Sequence, residues 1–429
     1  MNLLDILVER GFIEDIVHKE ALIEYLSTKG VTGYIGFDPT ASSLHIGSLV
    51  PIMSLVHMQR AGLKPVVLVG GGTGMIGDPS GKTEMRQLIH TETLEQNKIG
   101  IANQLKRFID FHNDQAIFVD NATWLNDLKY IPFLREIGRH FNVNRMLKAE
   151  SYKKRLDSDD GLSFIEFNYM LLQAFDFLTL HDTYGCKLQM GGSDQMGNII
   201  AGIELIRKLR QTTAFGITFP LITTSSGAKM GKTASGAVWL DENKTTPYDY
   251  YQYWINTDDR DVKRFLALFT LLPMPEINSI NADDEMMINS AKKILAFETT
   301  RLAHGEIEAV NSYLAAARMF GEKTIPLDLL PSSTIRIALE NQEVTDATPT
   351  TEIDSQLISK GIPFYILFEM TELTKSRGEA KRLVKQGGVY INGKRIESEE
   401  YIISNTDIKS GEIMLRSGKK RYHRIIVTN

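Results

Sequence analysis

Apolar residues fall in two rhythms along the first half of the chain. Residues 31–37 and 64–70 are short, nearly unbroken apolar runs and predict buried strands. Between them, residues 44–61 keep a helical spacing, with Pro51 in the first turns, where a missing N–H is tolerated. Strand, helix and second apolar strand make a parallel α/β unit, whose ligands gather at the C-terminal ends of the strands. Helical periodicity resumes over 92–111, a further strand is predicted over 185–190, and a helix over 198–209.

The second half reads differently. Four helical stretches, 247–254, 261–272, 284–304 and 306–320, predict a small all-helical domain. Residues 321–361 hold Pro326, Pro331, Pro349 and many Ser and Thr, so they predict a linker with a helix or two inside. A basic helix over 377–386, a hairpin over 389–394 and a closing strand over 424–427 complete the chain. The fold class is therefore α/β, with an α/β domain over 1–240, an α-helical domain over 241–320, a linker over 321–360 and a small α+β domain over 361–429.

Composition narrows the setting. The 429 residues suffice for two or three domains, and 43 % hydrophobic with 24 % charged residues is ordinary for a globular protein. One cysteine, Cys186, excludes an internal disulfide framework and fits a reducing compartment. Residues 1–11 carry Asp5 and Glu9 and lack a basic, then apolar, leader; the strongly apolar stretch 162–180 is broken by Glu166 and Asp176. A cytoplasmic protein without a membrane span is expected. Net charge is −5 but uneven: residues 375–424 hold 13 basic against six acidic side chains, +7, which leaves −12 elsewhere. A basic module on an acidic body suggests that the tail meets a polyanion.

Two short motifs carry the first chemistry. His45-Ile46-Gly47-Ser48 follows a strand and the Asp38-Pro39-Thr40 turn, and Lys229-Met230-Gly231-Lys232-Thr233 lies in a Gly-, Ser- and Thr-rich loop about 180 residues later. Two others fail as nucleotide loops. Gly72 to Gly77 matches G-x-G-x-x-G, but Asp78-Pro79 interrupts the helix that should follow. Gly77 to Thr83 is one residue short of a P-loop. In the apolar segment 164–177, Tyr169, Gln173 and Asp176 sit at i, i+4 and i+7 and so share a helix face, fitted either to water or to the wall of a pocket. The run Gln189-Met190-Gly191-Gly192-Ser193-Asp194-Gln195-Met196-Gly197-Asn198 lets a ligand approach the backbone closely, or caps a helix at Ser193 or Asp194.

Taken together these motifs resemble the bacterial tyrosyl-tRNA synthetases, a family of class I aminoacyl-tRNA synthetases. The likeness includes Tyr34-x-Gly36-Phe37-Asp38-Pro39-Thr40, Gly77-Asp78-Pro79-Ser80-Gly81-Lys82, Trp239-Leu240-Asp241 and Trp254-Ile255-Asn256-Thr257, and it covers nearly the whole chain. Residues 376–393 are similar to S4-type RNA-binding domains. The resemblance implies a Rossmann-like parallel-sheet catalytic domain, dimer formation around 120–165, and ligation of L-tyrosine to tRNA(Tyr) with ATP and Mg²⁺. It places Tyr34 and Asp176 on the substrate phenol, Asp78, Tyr169 and Gln173 on the α-ammonium, and Gln189 and Gln195 beside them. Gly36, Asp38, Gly47, Ser48, Gly191 and Asp194 would contact ATP. Thr40, His45, Lys82, Arg86, Lys229 and Lys232 would surround its phosphates, while Arg377, Lys381, Arg382, Lys385, Lys394, Lys419 and Lys420 would meet tRNA. Such chemistry needs positive charge where negative charge develops, and nothing in it has to take a proton. No Cys/His cluster exists, so no zinc and no protein-bound metal site is expected.

Two positions depart from the family: Ser48 replaces a His, and Met196 stands where most relatives have Trp. Tryptophanyl-tRNA synthetases share the class I core, and an RNA-binding relative without catalysis is a second alternative. The pairing of Tyr34 with Asp176 favours a phenol, and retention of His45, Lys82, Lys229 and Lys232 favours an enzyme.

Overall fold

A computed structural model of the chain describes residues 2–80, 89–159, 161–227, 230–233, 236–320, 325–326, 328–340, 349–418 and 421–428, without the side chains of 232, 233, 319, 320 and 340. Its centre is a six-stranded sheet: β1 (Asp15–Val17), β2 (Thr32–Phe37), β3 (Lys64–Val69), β4 (Ile117–Asp120), β5 (Leu188–Gly192) and β6 (Phe215–Phe219), in the order β1-β6-β5-β2-β3-β4. All pairings are parallel except that of β1 with β6.

The strand period of two divides the core. Ile35, Val67 and Val69 enter a cluster that runs on into the helical domain. Their neighbours Tyr34, Val66 and Leu68 face a second cluster with Phe177 and Ile203. Burial on both faces is why these strands read as nearly continuous apolar runs. Chain order reverses between β2 and β5, so the sheet opens a crevice at its C-terminal edge there.

Four helices frame that crevice: α1 (Leu49–Arg60), α2 (Thr91–Phe108), α3 (Phe164–Tyr184) and α4 (Met196–Arg210). Pro51 takes the third position of α1, inside its first turn. The start of α3 is fixed by a capping box, with the Ser163 hydroxyl on the Glu166 N–H and the Glu166 carboxylate on the Ser163 N–H. Glu166 also takes two bonds from the Arg155 guanidinium at 3.0 and 3.2 Å, and neither side chain is more than 1 % exposed. Removing one partner of such a buried pair costs several kcal/mol, about 3–5. Gly185 terminates α3 at φ 65°, a left-handed conformation suited to glycine. The strand expected from 185 therefore begins only at Leu188. Of the two alternatives for the run 189–198, a cap at Ser193 or Asp194 is not the one found: a 3-10 turn over Ser193–Gln195 leads into α4, whose cap position is Gln195.

Beyond the sheet, α5 (Pro247–Ile255), Val262–Phe269, Glu285–His304 and Glu306–Phe320 form the helical layer, with Trp254 fully buried. The C-terminal sheet orders Lys394–Arg395, Val389–Ile391, Glu412–Ser417, Arg421–Thr428 and Thr350–Asp354. That last strand pairs in parallel with Arg421–Thr428, although its Thr-rich sequence after Pro349 reads as linker. Alternation explains the pairing: Ile353 is buried in the module's own core with Phe364, Leu367, Ile391 and Ile425. Among the described residues, no helix is long and apolar enough to cross a membrane.

Candidate functional site

A cavity of about 370 Å³ opens where β2 and β5 diverge. β2 supplies Tyr34, Gly36 and, just beyond its end, Asp38 and Thr40; α3 supplies Tyr169, Gln173 and Asp176; β5 and the turn after it supply Gln189, Gly191, Asp194 and Gln195. Asp78 lines it from the loop after β3, and Gly47, Ser48 and Pro51 line it from the start of α1. The shared helix face of Tyr169, Gln173 and Asp176 thus faces a pocket rather than solvent.

The polar groups are linked across the crevice. Asp38 accepts from the Tyr169 hydroxyl at 2.6 Å and from the Thr73 hydroxyl at 2.7 Å. Asn121 donates through Nδ2 to Thr73 Oγ1 at 3.0 Å and to Asp176 Oδ2 at 2.9 Å. The second Asp176 oxygen accepts from the Trp124 indole at 2.7 Å. On the other wall, Gln195 Nε2 donates to Asp78 at 2.6 Å, and Asn198 Nδ2 reaches Gln173 Oε1 at 2.9 Å and Gln195 Oε1 at 3.1 Å. Gly70 makes this possible beneath Asp38, because a Cβ there would come within 2.0 Å of the carboxylate.

Burial governs the electrostatics. Asp176 is pushed up to about 8 by desolvation, against the pull of its bonds from Asn121 and Trp124. Tyr34 is raised well above its ordinary value by burial and then by the nearby Asp176. Its hydroxyl is buried and, among the described residues, neither it nor Gln189 Oε1 has a hydrogen-bond partner. Four carboxylates (Asp38, Asp78, Asp176 and Asp194) line the cavity, and no Lys, Arg or His does so among the described residues. Such a cavity suits a ligand that carries an amino group and hydroxyls, one of them reaching the closed end at Tyr34 and Asp176.

The two signature motifs meet beside it. The Ile46 N–H donates to the Val238 carbonyl at 3.0 Å and the Val238 N–H to the Gly231 carbonyl at 3.0 Å. His45 is not in the cavity wall; its Nδ1 accepts from the Gly47 N–H at 2.9 Å, and its ring lies edge-on to Trp239. Lys82, Arg86, Lys229, Lys419, Lys420 and the side chain of Lys232 lie outside the described residues.

Comparison with known proteins gives the family. The model of class I tRNA synthetases (W and Y) matches residues 27–321, and that of the tyrosine–tRNA ligase SYY-like C-terminal domain matches 340–425. The chain is 60 % identical to a tyrosine–tRNA ligase of Desulfosudis oleivorans over all 429 residues and 99 % of that protein. It is 48 % identical to one of Caldanaerobacter subterraneus over the full length of both. This chain belongs to the class I tyrosyl-tRNA synthetases.

Among solved structures, a C-terminally truncated mitochondrial tyrosyl-tRNA synthetase of Aspergillus nidulans superposes with a TM-score of 0.67 at 31 % identity, covering 74 % of this chain and 94 % of that one. At 14 % identity and a TM-score of 0.54, a tryptophanyl-tRNA synthetase of Plasmodium falciparum shares the fold. Membership of the family makes the protein a tyrosine–tRNA ligase of class I and therefore an ATP-dependent enzyme.

Sequence reasoning missed Thr73, which lines the cavity, and Asn121 and Trp124, which hold lining residues in place; Asn198 was part of the run 189–198 but was given no role. Asn121 directly follows β4, at the C-terminal edge of a parallel sheet, and that position was its available signal. Met196 begins α4 and does not line the cavity. In the C-terminal module, Arg377, Lys381 and Lys385 pair with Glu369, Glu400 and Glu399, and Lys381 lies 4.6 Å over the Tyr365 ring. Exposed pairs of this kind contribute little to stability.

Proposed function

We propose that the cavity reads L-tyrosine through its phenol and builds tyrosyl-adenylate from it. The observation that carries this is the closed end, where the unbonded Tyr34 hydroxyl and the Asp176 carboxylate are both buried. A phenolic hydroxyl can accept from one and donate to the other; a plain phenyl ring does neither, and an indole N–H donates but cannot accept from Tyr34, whose hydroxyl then stays unpaired. Asp78, Tyr169 and Gln173 then hold the α-ammonium, and Asp38, Gly191, Asp194 and Gln195 face the carboxylate and ribose. Gly36, Gly47 and Ser48 contact the nucleotide, and Gln189 backs Tyr34 from the adjoining strand.

ATP binds as its magnesium complex. The tyrosine carboxylate oxygen attacks the α-phosphorus, the bond to the bridging oxygen breaks, and pyrophosphate leaves with the electron pair. Thr40, His45, Lys82, Arg86, Lys229 and Lys232 stabilise the charge that builds on the phosphates. The terminal ribose hydroxyl of tRNA(Tyr) then attacks the carbonyl carbon and AMP departs. Arg377, Lys381, Arg382, Lys385, Lys394, Lys419 and Lys420 supply phosphate contacts from the C-terminal module, which includes the strand from Thr350.

The protein works in the cytoplasm as a homodimer. Tyr130, Ile131, Val143, Leu156, Phe164 and Ile165 are large apolar side chains exposed within or beside the 120–165 insertion, a pattern that favours a covered face. ATP–pyrophosphate exchange tests the reaction: tyrosine alone is expected to support it, and stimulation by tryptophan instead overturns the assignment.

Tyrosine binding should follow pH. In the empty site Asp176 keeps its proton up to about 8, whereas a phenol donating to it favours the carboxylate. Binding therefore releases a proton, and affinity rises up to about tenfold per pH unit towards pH 8 before levelling. Equilibrium dialysis between pH 6.5 and 8.5 checks this. Asp176→Asn should flatten the profile; a flat profile in the unaltered protein removes Asp176 from phenol binding.

A further inference from the structure

We infer that Tyr253 is a positioning residue for adenylate formation: from the helical domain, its hydroxyl fixes the backbone of the loop that carries Lys232. This rests on the proposed role of Lys232 at the ATP phosphates and extends it to a residue that touches no substrate.

The loop is tied to the helical layer at three points. Its entering stem is held twice, by the Arg264 guanidinium donating to the Thr223 carbonyl and by the Ser225 N–H donating to Asp261 Oδ2 at 2.7 Å. Asp261 is only 3 % exposed and takes a second bond from Arg264 at 2.9 Å, so this anchor cannot swing. At the tip, the Gly231 N–H donates to the Tyr253 hydroxyl at 3.3 Å.

Gly231 is the critical residue of the loop. Its φ of 79° makes a turn that other residues adopt only with strain, and a Cβ there would meet the Gly47 N–H at 3.3 Å. Its carbonyl accepts from the Val238 N–H on the loop's own leaving stem, while its N–H is held from the helical side. Both backbone polar groups of the residue before Lys232 are thus engaged, by two different parts of the fold. Tyr253 is rigid in turn: it stands on α5 next to the fully buried Trp254, with the two rings edge-on at 5.4 Å.

Tyr253 also borders a cleft of about 1000 Å³, together with Ala237 and Val238 from the leaving stem of the loop. One wall of that cleft comes from the C-terminal module through Lys375 and Arg421. The tether therefore sits where the loop, the helical layer and the RNA-binding module meet.

The test removes one oxygen. Tyr253→Phe keeps the ring and its packing but leaves the Gly231 N–H without its acceptor. Single-turnover adenylate formation at saturating tyrosine and ATP is expected to slow about tenfold, the worth of one such bond. Tyrosine affinity without ATP, and the melting temperature, should stay at the values of the unaltered protein. In a Lys232→Ala background, Tyr253→Phe should add little, because the group it positions is gone. Equal fold-losses in both backgrounds would overturn the inference, as would an unchanged rate in the single variant. If Lys232→Ala is itself silent, the proposed role of the loop fails and this inference with it. If Lys232→Ala is slow and Tyr253→Phe is normal, only the tether is refuted.

Discussion

Lys232→Ala is expected to slow adenylate formation by on the order of 10²-fold, about 3 kcal/mol, the cost of losing one donor from an oxyanion site. Lys232 lies on a two-residue strand, Lys232–Thr233, paired with Gly236–Ala237, and its neighbour Gly231 adjoins the His45-Ile46-Gly47 turn. An ammonium carried from that backbone gains most when charge is moving onto the departing pyrophosphate. Contacts that strengthen in the transition state raise the rate rather than the ground-state affinity. Tyrosine binding measured without ATP should therefore be unchanged. Normal single-turnover kinetics in the variant, or loss of tyrosine binding, contradicts this role.

Ending the chain after Glu340 is expected to spare tyrosine activation and to reduce tRNA charging by on the order of 10³-fold at physiological salt. The cores are separate: Phe364, Leu367, Ile391, Ile413 and Ile425 cluster among themselves, whereas the cavity proposed to take tyrosine is lined by residues before 223. The removed segment carries the cluster of net charge +7. Charging by the full chain should fall steeply as salt rises, while pyrophosphate exchange should not. Normal charging by the shortened chain would show that the basic module has another job.

Much of this architecture is visible in the residue pattern, for physical reasons. Runs such as 31–37 and 64–70 read clearly as strands because a parallel sheet covered on both faces must be apolar throughout. Tyr169, Gln173 and Asp176 stand out because three polar groups at i, i+4 and i+7 interrupt an otherwise apolar helix. The supports of the site were harder to see. Asn121 and Trp124 act through one hydrogen bond each to a carboxylate 52 to 55 residues away, and neither breaks a local pattern. Thr350–Asp354 was hidden by its composition, since its pairing with Arg421–Thr428 is a long-range contact that Thr and Glu do not advertise. Gly185 misled because the glycine that ends a helix also precedes a strand.

The most direct test of the account compares tyrosine with phenylalanine in pyrophosphate exchange, for the unaltered protein and for Tyr34→Phe. Tyrosyl-tRNA synthetases as a family reject phenylalanine by about 10⁵ without editing, a known property rather than a derivation from this structure. In Tyr34→Phe one of the two phenol partners is gone, and the ratio of kcat/KM values is expected to fall by on the order of tenfold, mostly through tyrosine. Discrimination that stays the same in Tyr34→Phe would contradict the claim that the closed end of the cavity reads the phenol.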